Sequence, residues 1–465
     1  MSRWALVALL VACGTSPHRP GKPDREGEKK RATDRPLHRL DAPVTGASVD
    51  QPVSAPPTVV LIITDTVRAD HTSLCGYQRP TTPTLRTLSE SAAWTCAAYA
   101  PGTWTIPSHA SYFTGLHTTE HNLLNKGIAL DPDVATLAEI FAHHGYQTAM
   151  ISANPTLTKA SGLWQGFSVV NVPKGTTDDF RYEHFDNKLE KTLKGLDATK
   201  PLFLVVNIFD AHDPYPEIPG DVGWLPKRPG IQINPEKEEA DGPAHRLVEG
   251  KMPPAEAMKY LQHLTDTYDW GIFRADRNVA KTAQVLQEGG WLANGYRLVV
   301  TSDHGEHLGE HGLVRHDGPP WETVTRVFTL FKDTTQPTLP TLPEPFANAM
   351  VFWLLKDGRL PDPILPVASA SIAYESSGPE HARRDSVALW PSTTDKLMWS
   401  QGPLQRFDLA GDPEENHPVD LAADDPRAPE LERRKAALLE SKARGQAKGV
   451  DPEVMKSLEA IGYIN

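Results

Sequence analysis

The stretch V-V-L-I-I-T-D at 59–65 decides the fold. A continuous run of β-branched and aliphatic residues reads as a strand with both faces covered, as parallel strands are. It stops on Asp65. A second run, L-V-V-T-S-D-H-G-E at 298–306, has the same form and ends on Asp303 and His304. Ligands of open α/β sheets gather past the carboxyl ends of such strands. An Asp at one strand end and an Asp-His pair at another can therefore meet around one cation. A third stretch, T-W-T-I-P-S-H-A-S at 103–111, puts the hydroxyl of Thr105 at the start of a helix, since Pro107 suits a first turn. The free N–H groups of such a helix end hold a phosphate or sulfate group, although Thr105 read alone is an ordinary N-cap.

Working outward, strand-like runs at 58–64, 147–152, 202–209 and 297–302 alternate with helical segments. P-T-T-P-T-L-R-T-L-S-E-S-A-A at 80–93 enters a helix through proline, 135–144 is a helix closed by Gly145, and 254–288 carries helical spacing. This alternation predicts an α/β fold with a doubly wound, mostly parallel sheet. Further on, 388–409 reads as two short strands joined by a turn, and 426–446 as a charged amphipathic helix. Residues 216–253 hold several prolines and glycines and the charged run E-K-E-E-A-D. They read as a surface insertion beside His212, either overhanging the site or simply solvated.

The first residues, M-S-R-W-A-L-V-A-L-L-V-A-C-G, carry one positive charge at Arg3 and an apolar run from Trp4 to Ala12 that is too short to span a bilayer. The run ends L-V-A-C at 10–13, which resembles a bacterial lipobox. That resemblance implies removal of residues 1–12, lipidation of Cys13 and a lipid-anchored place in the bacterial cell envelope, exported to the periplasm or cell surface. An ordinary signal peptide followed by an incidental cysteine is the alternative. Residues 13–56 are rich in Pro, Arg, Asp, Ser and Gly and are expected to be a disordered tether. Cys75 and Cys96 are then the remaining cysteines, open to pairing in an oxidising compartment or to staying as buried thiols. The net charge of −12 argues against a nucleic-acid partner, which calls for a basic face.

The ligand-type residues carry the chemistry. Two carboxylates and an imidazole from Asp65, Asp303 and His304 suit one divalent ion such as Mn²⁺ or Zn²⁺. Ca²⁺, which prefers more oxygen ligands, and Mg²⁺ are the alternatives. The Thr105 hydroxyl has too high a pKa to attack unaided, and coordination to that ion is one way to activate it.

Six motifs occur in order: L-I-I-T-D-T-V-R-A-D-H (61–71), G-Y-Q-R-P-T-T-P-T-L (76–85), T-I-P-S-H-A-S-Y-F-T-G (105–115), D-A-H-D-P-Y (210–215), T-S-D-H-G-E-H-L-G-E-H-G (301–312) and R-F-D-L-A-G-D-P-E-E-N (406–416). Together they make the chain similar to the sulfatase family of the alkaline phosphatase superfamily. The resemblance implies a catalytic domain at 57–385 and a small antiparallel C-terminal subdomain at 386–465. It implies a metal shell of Asp65, Thr105, Asp303 and His304, with Thr105 as the nucleophile. It places His212 and His316 at the leaving group and His109 against the substrate anion.

The chain departs from the family pattern at four positions. Thr105 stands where sulfatases carry the Cys or Ser that becomes formylglycine, which threonine cannot become. His109 replaces an Arg, Thr66 a second Asp, and His316 a typical Lys. The threonine form is similar to phosphate-directed members such as phosphodiesterases and lipoteichoic-acid or phosphoethanolamine transferases. The expected activity is hydrolysis of sulfate or phosphate esters, phosphate favoured, with one metal ion. The rivals are transfer of a phosphoryl-linked group to a glycan or lipid, and an inactive surface-binding lipoprotein.

Overall fold

The run at 58–64 is a strand, β1 (Thr58–Thr64), and all its residues are buried. The computed structural model describes residues 47–124, 128–172, 182–220, 222–226, 242–316, 318–372 and 384–448. β1 lies inside an eight-stranded sheet with β2 (Ala93–Tyr99), β3 (Gln147–Ser152), β4 (Val169–Asn171), β5 (Leu202–Ile208), β6 (Tyr296–Thr301), β7 (Arg326–Asp333) and β8 (Phe346–Ala347). The order is β8-β2-β7-β6-β1-β5-β3-β4. β7 runs antiparallel to β2 and β6, and every other neighbouring pair is parallel. The expected α/β architecture with a mostly parallel sheet is what the chain adopts.

The helices that matter here are α1 (Pro83–Ser89), α2 (Thr105–Thr114), α3 (Leu137–His143), α4 (Tyr182–Lys194), α5 (Pro254–Glu288) and α6 (Val351–Asp357). Successive strand side chains point to opposite faces. Val59, Leu61 and Ile63 therefore enter one core, with α2, α3 and α6. Val60 and Ile62 enter the other, with α1, α4 and α5. At about 1.5–3 kcal/mol for each fully buried aliphatic side chain, β1 is locked from both sides. Local signals set the helix ends. Thr136 and Glu139 cap α3 reciprocally, and Gly145, at φ +83°, follows it. α1 has no side-chain cap of its own. Buried Asp276 on α5 serves instead, accepting from the Thr84 and Leu85 amides at 2.8 and 3.0 Å.

A second, five-stranded antiparallel sheet follows: β9 (Ala368–Ser371), β10 (Ser386–Ser392), β11 (Asp395–Ser400), β12 (Leu404–Asp408) and β13 (Val419–Asp420). The stretch 388–409 holds parts of three strands rather than two. A second turn intervenes after β11, where Gln401 sits at φ +50°. The first strand of this sheet lies ahead of residue 386. Helix α7 (Ala428–Lys448) rests Leu431 and Leu438, two turns apart, on the sheet.

Cys75 and Cys96 form a disulfide, with Cα atoms 5.7 Å apart, joining the loop before α1 to β2. The insertion at 216–253 contains a helix at Pro243–Val248, while residues 221 and 227–241 lie outside the described residues. So do the signal segment, Cys13 and the tether up to residue 46. Among the described residues, no helix is long and apolar enough to cross a membrane.

Candidate active site

The sheet register assembles the site. Ile63 of β1 lies opposite Asn207 of β5 and Thr301 of β6, and Asn207 lies opposite Ser152 of β3. The parallel strands therefore end level. Asp65, Asp303 and Asn154, each one or two residues past a strand, come to one place above the sheet.

Asp65, Asp303 and His304 are fully buried, and one ligand atom from each lies within 4.8 Å of the others. His304 Nε2 is 3.8 Å from Asp65 Oδ1 and 3.6 Å from Asp303 Oδ2. These three atoms have no hydrogen-bond partner. Buried polar atoms are normally paired, so three unpartnered atoms facing one another are a donor set that fits a cation. Burial pushes the Asp65 and Asp303 carboxyls up to about 7, and for Asp65 the nearby Asp303 adds to the effect. A divalent ion would reverse both effects. His304 Nδ1 lies 3.0 Å from the Gly305 carbonyl. Donation there leaves the Nε2 lone pair for a metal, the usual arrangement for a ligating imidazole. The group can thus bind a metal ion.

The turn that aims Asp65 is strained. Thr66 has φ +58°, costly for a β-branched residue. Three bonds hold it there. Its amide donates to Asp303 Oδ1 at 3.3 Å, its hydroxyl to the Ala211 carbonyl at 2.7 Å, and the Tyr268 hydroxyl donates to its carbonyl at 2.5 Å. The position expected to lack a ligand thus ties the β1, β5 and β6 loops together.

Thr105 is buried at the first turn of α2. It is the first helical residue; Trp104 holds the N-cap position and gives no side-chain cap. The hydroxyl is therefore not used up as a cap, and it is among the groups that pull the Asp303 carboxyl down against burial. His109, one turn on, is fully buried, with Nδ1 3.0 Å from the Thr105 carbonyl and Nε2 3.5 Å from Asn207 Nδ2. Burial depresses it to about 3. It is a neutral ring behind Thr105, unlike the permanent charge of an arginine.

His212 and His316 join the same cluster. The His316 ring centroid is 4.5 Å from that of His304 and 5.4 Å from that of His212. His212 stacks on Phe209 at 4.2 Å, and its Nδ1 contacts the Asp213 carbonyl. Burial lowers His212 to about 3, so without substrate it is neutral. A bound oxyanion beside it would favour the protonated form. The carboxylates near it are already engaged: Asp210 by Arg274 at 3.0 Å and Asn278 at 2.8 Å, and Asp213 by Arg315 at 3.1 Å.

Two residues that sequence reasoning missed complete the site. Asn154 Nδ2 donates to Asp65 Oδ2 at 2.8 Å and to Thr105 Oγ1 at 3.0 Å. Asn207 Nδ2 donates to the same Asp65 oxygen at 3.1 Å. Asn207 did leave a signal, as an amide inside the apolar run L-F-L-V-V-N-I.

The sulfatase family model matches residues 57–336, more than half of the chain. The chain belongs to the sulfatase family. Solved structures share this sulfatase fold at low identity. One holds its substrate, D-glucosamine-2-N,6-O-disulfate; it is 16% identical with TM-score 0.59, and the match covers 86% of this chain and 100% of that one. A 2-O GAG sulfatase is 15% identical with TM-score 0.58, covering 86% and 96%. The phosphonate monoester hydrolase of Agrobacterium radiobacter is 18% identical with TM-score 0.57, covering 83% and 96%. The chain is thus a sulfatase-family ester hydrolase by family and fold.

Proposed function

We propose that this sulfatase-family protein hydrolyses phosphate esters through a covalent intermediate on Thr105. The observation that carries the reading is the convergence of the unpartnered Asp65, Asp303 and His304 atoms beside a buried, uncapping Thr105 hydroxyl. Asp65, Asp303 and His304 would hold the cation, which supplies positive charge that makes the hydroxyl more acidic and offsets the charge of the ester. The ligand chemistry favours Mn²⁺ or Zn²⁺. As the Thr105 Oγ–phosphorus bond forms, the hydroxyl proton passes to solvent and the bond to the leaving oxygen breaks. His212 or His316 holds the proton that this oxygen takes up, a role worth about 10²–10⁴-fold in rate. Water then attacks phosphorus and gives a proton back to that histidine, the Oγ–phosphorus bond breaks, and Thr105 takes up a proton from solvent.

Threonine is what favours phosphate over sulfate. A formylglycine hydrate ejects sulfate by collapsing to the aldehyde; a threonine ester must be cleared by attack at the central atom. At phosphorus such catalysis is largely positioning and charge stabilisation, which this buried, preset site suits. The sulfatase fold houses both chemistries, since its structural neighbours include a 2-O GAG sulfatase and a phosphonate monoester hydrolase. The lipid anchor at Cys13 belongs to the same proposal. The Cys75–Cys96 disulfide supports export, because such bonds persist in oxidising compartments. A paired assay with aryl phosphate mono- and diesters and an aryl sulfate, in Mn²⁺ or Zn²⁺, tests the reading. Faster turnover of a phosphate ester is expected. Robust arylsulfatase activity with negligible phosphatase activity would overturn it.

A further inference from the structure

Asn154 sits fully buried two residues past β3, and its amide orientation is fixed by its own neighbours. Its Oδ1 accepts from the Thr156 amide at 2.8 Å and the Thr156 hydroxyl at 2.6 Å. Its backbone amide donates to Ser152 Oγ at 2.9 Å. With Oδ1 so committed, only the NH₂ side faces the site. Each of its two hydrogens has an acceptor: Asp65 Oδ2 at 2.8 Å and Thr105 Oγ1 at 3.0 Å. Asp65 Oδ2 has a second donor in Asn207, whereas Thr105 Oγ1 receives its side-chain amide bond from Asn154.

We infer that Asn154 is a catalytic residue that donates a hydrogen bond to the Thr105 oxygen while negative charge builds on it. The inference rests on the reading of Thr105 as nucleophile. Asn154 forms and breaks no covalent bond. A hydrogen bond to an ionised acceptor is roughly twice as strong as one between neutral groups. The bond is therefore worth more in the transition state than in the resting enzyme, which is the condition for raising kcat. The same donor serves the second step, when Thr105 Oγ departs from phosphorus. Because Thr156 holds the side-chain amide and Ser152 its backbone in place beforehand, little reorganisation is needed at the moment of reaction.

The test measures kcat, KM and bound metal for wild type, Asn154→Ala, Asn154→Asp and Asn207→Ala, using phenyl and 4-nitrophenyl phosphate esters. Loss of one such donor costs about 10²–10³-fold in kcat. That loss is expected for Asn154→Ala, with KM little changed, wild-type metal content and the same factor for both leaving groups. Asn207→Ala, which strips Asp65 of a donor without touching Thr105, should lose less. Asn154→Asp keeps the shape and the Thr156 bonds but removes the donor; it should fall at least as far, and it carries the test if the alanine variant does not fold. A kcat within twofold of wild type in either Asn154 variant overturns the inference. So does loss of the metal in Asn154→Ala, which would show Asn154 acting through Asp65, or equal losses in Asn154→Ala and Asn207→Ala. Thr105→Ala separates this inference from its foundation. If Thr105→Ala stays active, the nucleophile reading fails; if it is inactive while Asn154→Ala works normally, only the role of Asn154 fails.

Discussion

Removing the cation should add a fall in stability as pH rises from 5 to 7, and restoring it should remove that added fall. In the metal-free protein the Asp65 and Asp303 carboxyls are pushed up to about 7 from an ordinary 3.8. Between those values the folded form keeps protons that the unfolded chain has released. The stability they contribute is therefore full below 3.8 and lost as pH rises through about 7. From pH 5 to pH 7 this amounts to about 2 kcal/mol for one such carboxyl. The two carboxyls influence each other, so the pair contributes about 3–4 kcal/mol rather than a simple doubling. With the site loaded, both stay ionised and the effect disappears. Buried Asp276 and Glu415, also raised to about 7, lie outside the cluster and titrate alike in both forms, so they cancel in the difference. Burial pulls the His304 imidazole below its ordinary value, toward the neutral form that a bound ion also selects. The assay is denaturant unfolding with chelator and with fixed saturating Mn²⁺ at several pH values. The loaded-minus-stripped gap should widen by about 3–4 kcal/mol between pH 5 and 7 and flatten above. A gap that stays constant or narrows would refute the assignment of the cluster as a cation site.

Other consequences follow from the C-terminal subdomain, the histidines and the N-terminus. Lys396 is fully buried; its Nζ donates to the Pro320 carbonyl at 2.6 Å and pairs with Glu415, which also accepts from the Glu322 amide at 2.7 Å. Glu415→Gln should cost about 3–5 kcal/mol by stranding the buried ammonium. Lys396→Met with Glu415→Gln should cost clearly less than the summed single changes, and additive losses in denaturant titrations would contradict the pairing. If His212 or His316 protonates the leaving oxygen, replacing the responsible one by Ala should slow phenyl esters far more than 4-nitrophenyl esters, and equal slowing for both histidines would count against that role. Cys13→Ser should release the protein from membranes, and a wild-type chain that fractionates as soluble with an unmodified N-terminus would contradict the anchor.

The fold was legible because β1 and the 298–300 part of β6 are apolar runs, and such runs need cover on both faces. The metal-type cluster was legible for the same reason, since Asp65, Asp303 and His304 come directly after those runs. Other features required three dimensions. Asn154 lies between Ala153 and Pro155, and nothing local says that its amide spans Asp65 and Thr105. Its role depends on the register of β3 against β5 and of β5 against β1, which no short window of sequence encodes. The third strand in 388–409 was hidden because Q-G-P at 401–403 resembles part of one longer loop as much as a tight turn. The Cys75–Cys96 bond depended on the distance between a loop and a strand that spacing alone leaves free.

The most direct measurement of the central claim is mass spectrometry of acid-quenched enzyme during turnover of an aryl phosphate ester in Mn²⁺. The account predicts one phosphoryl group on the peptide carrying Thr105, absent from Thr105→Ala, which should remain folded yet fail to turn over. Turnover with no adduct on Thr105, an adduct on another residue, or a Thr105→Ala protein as active as wild type would contradict it.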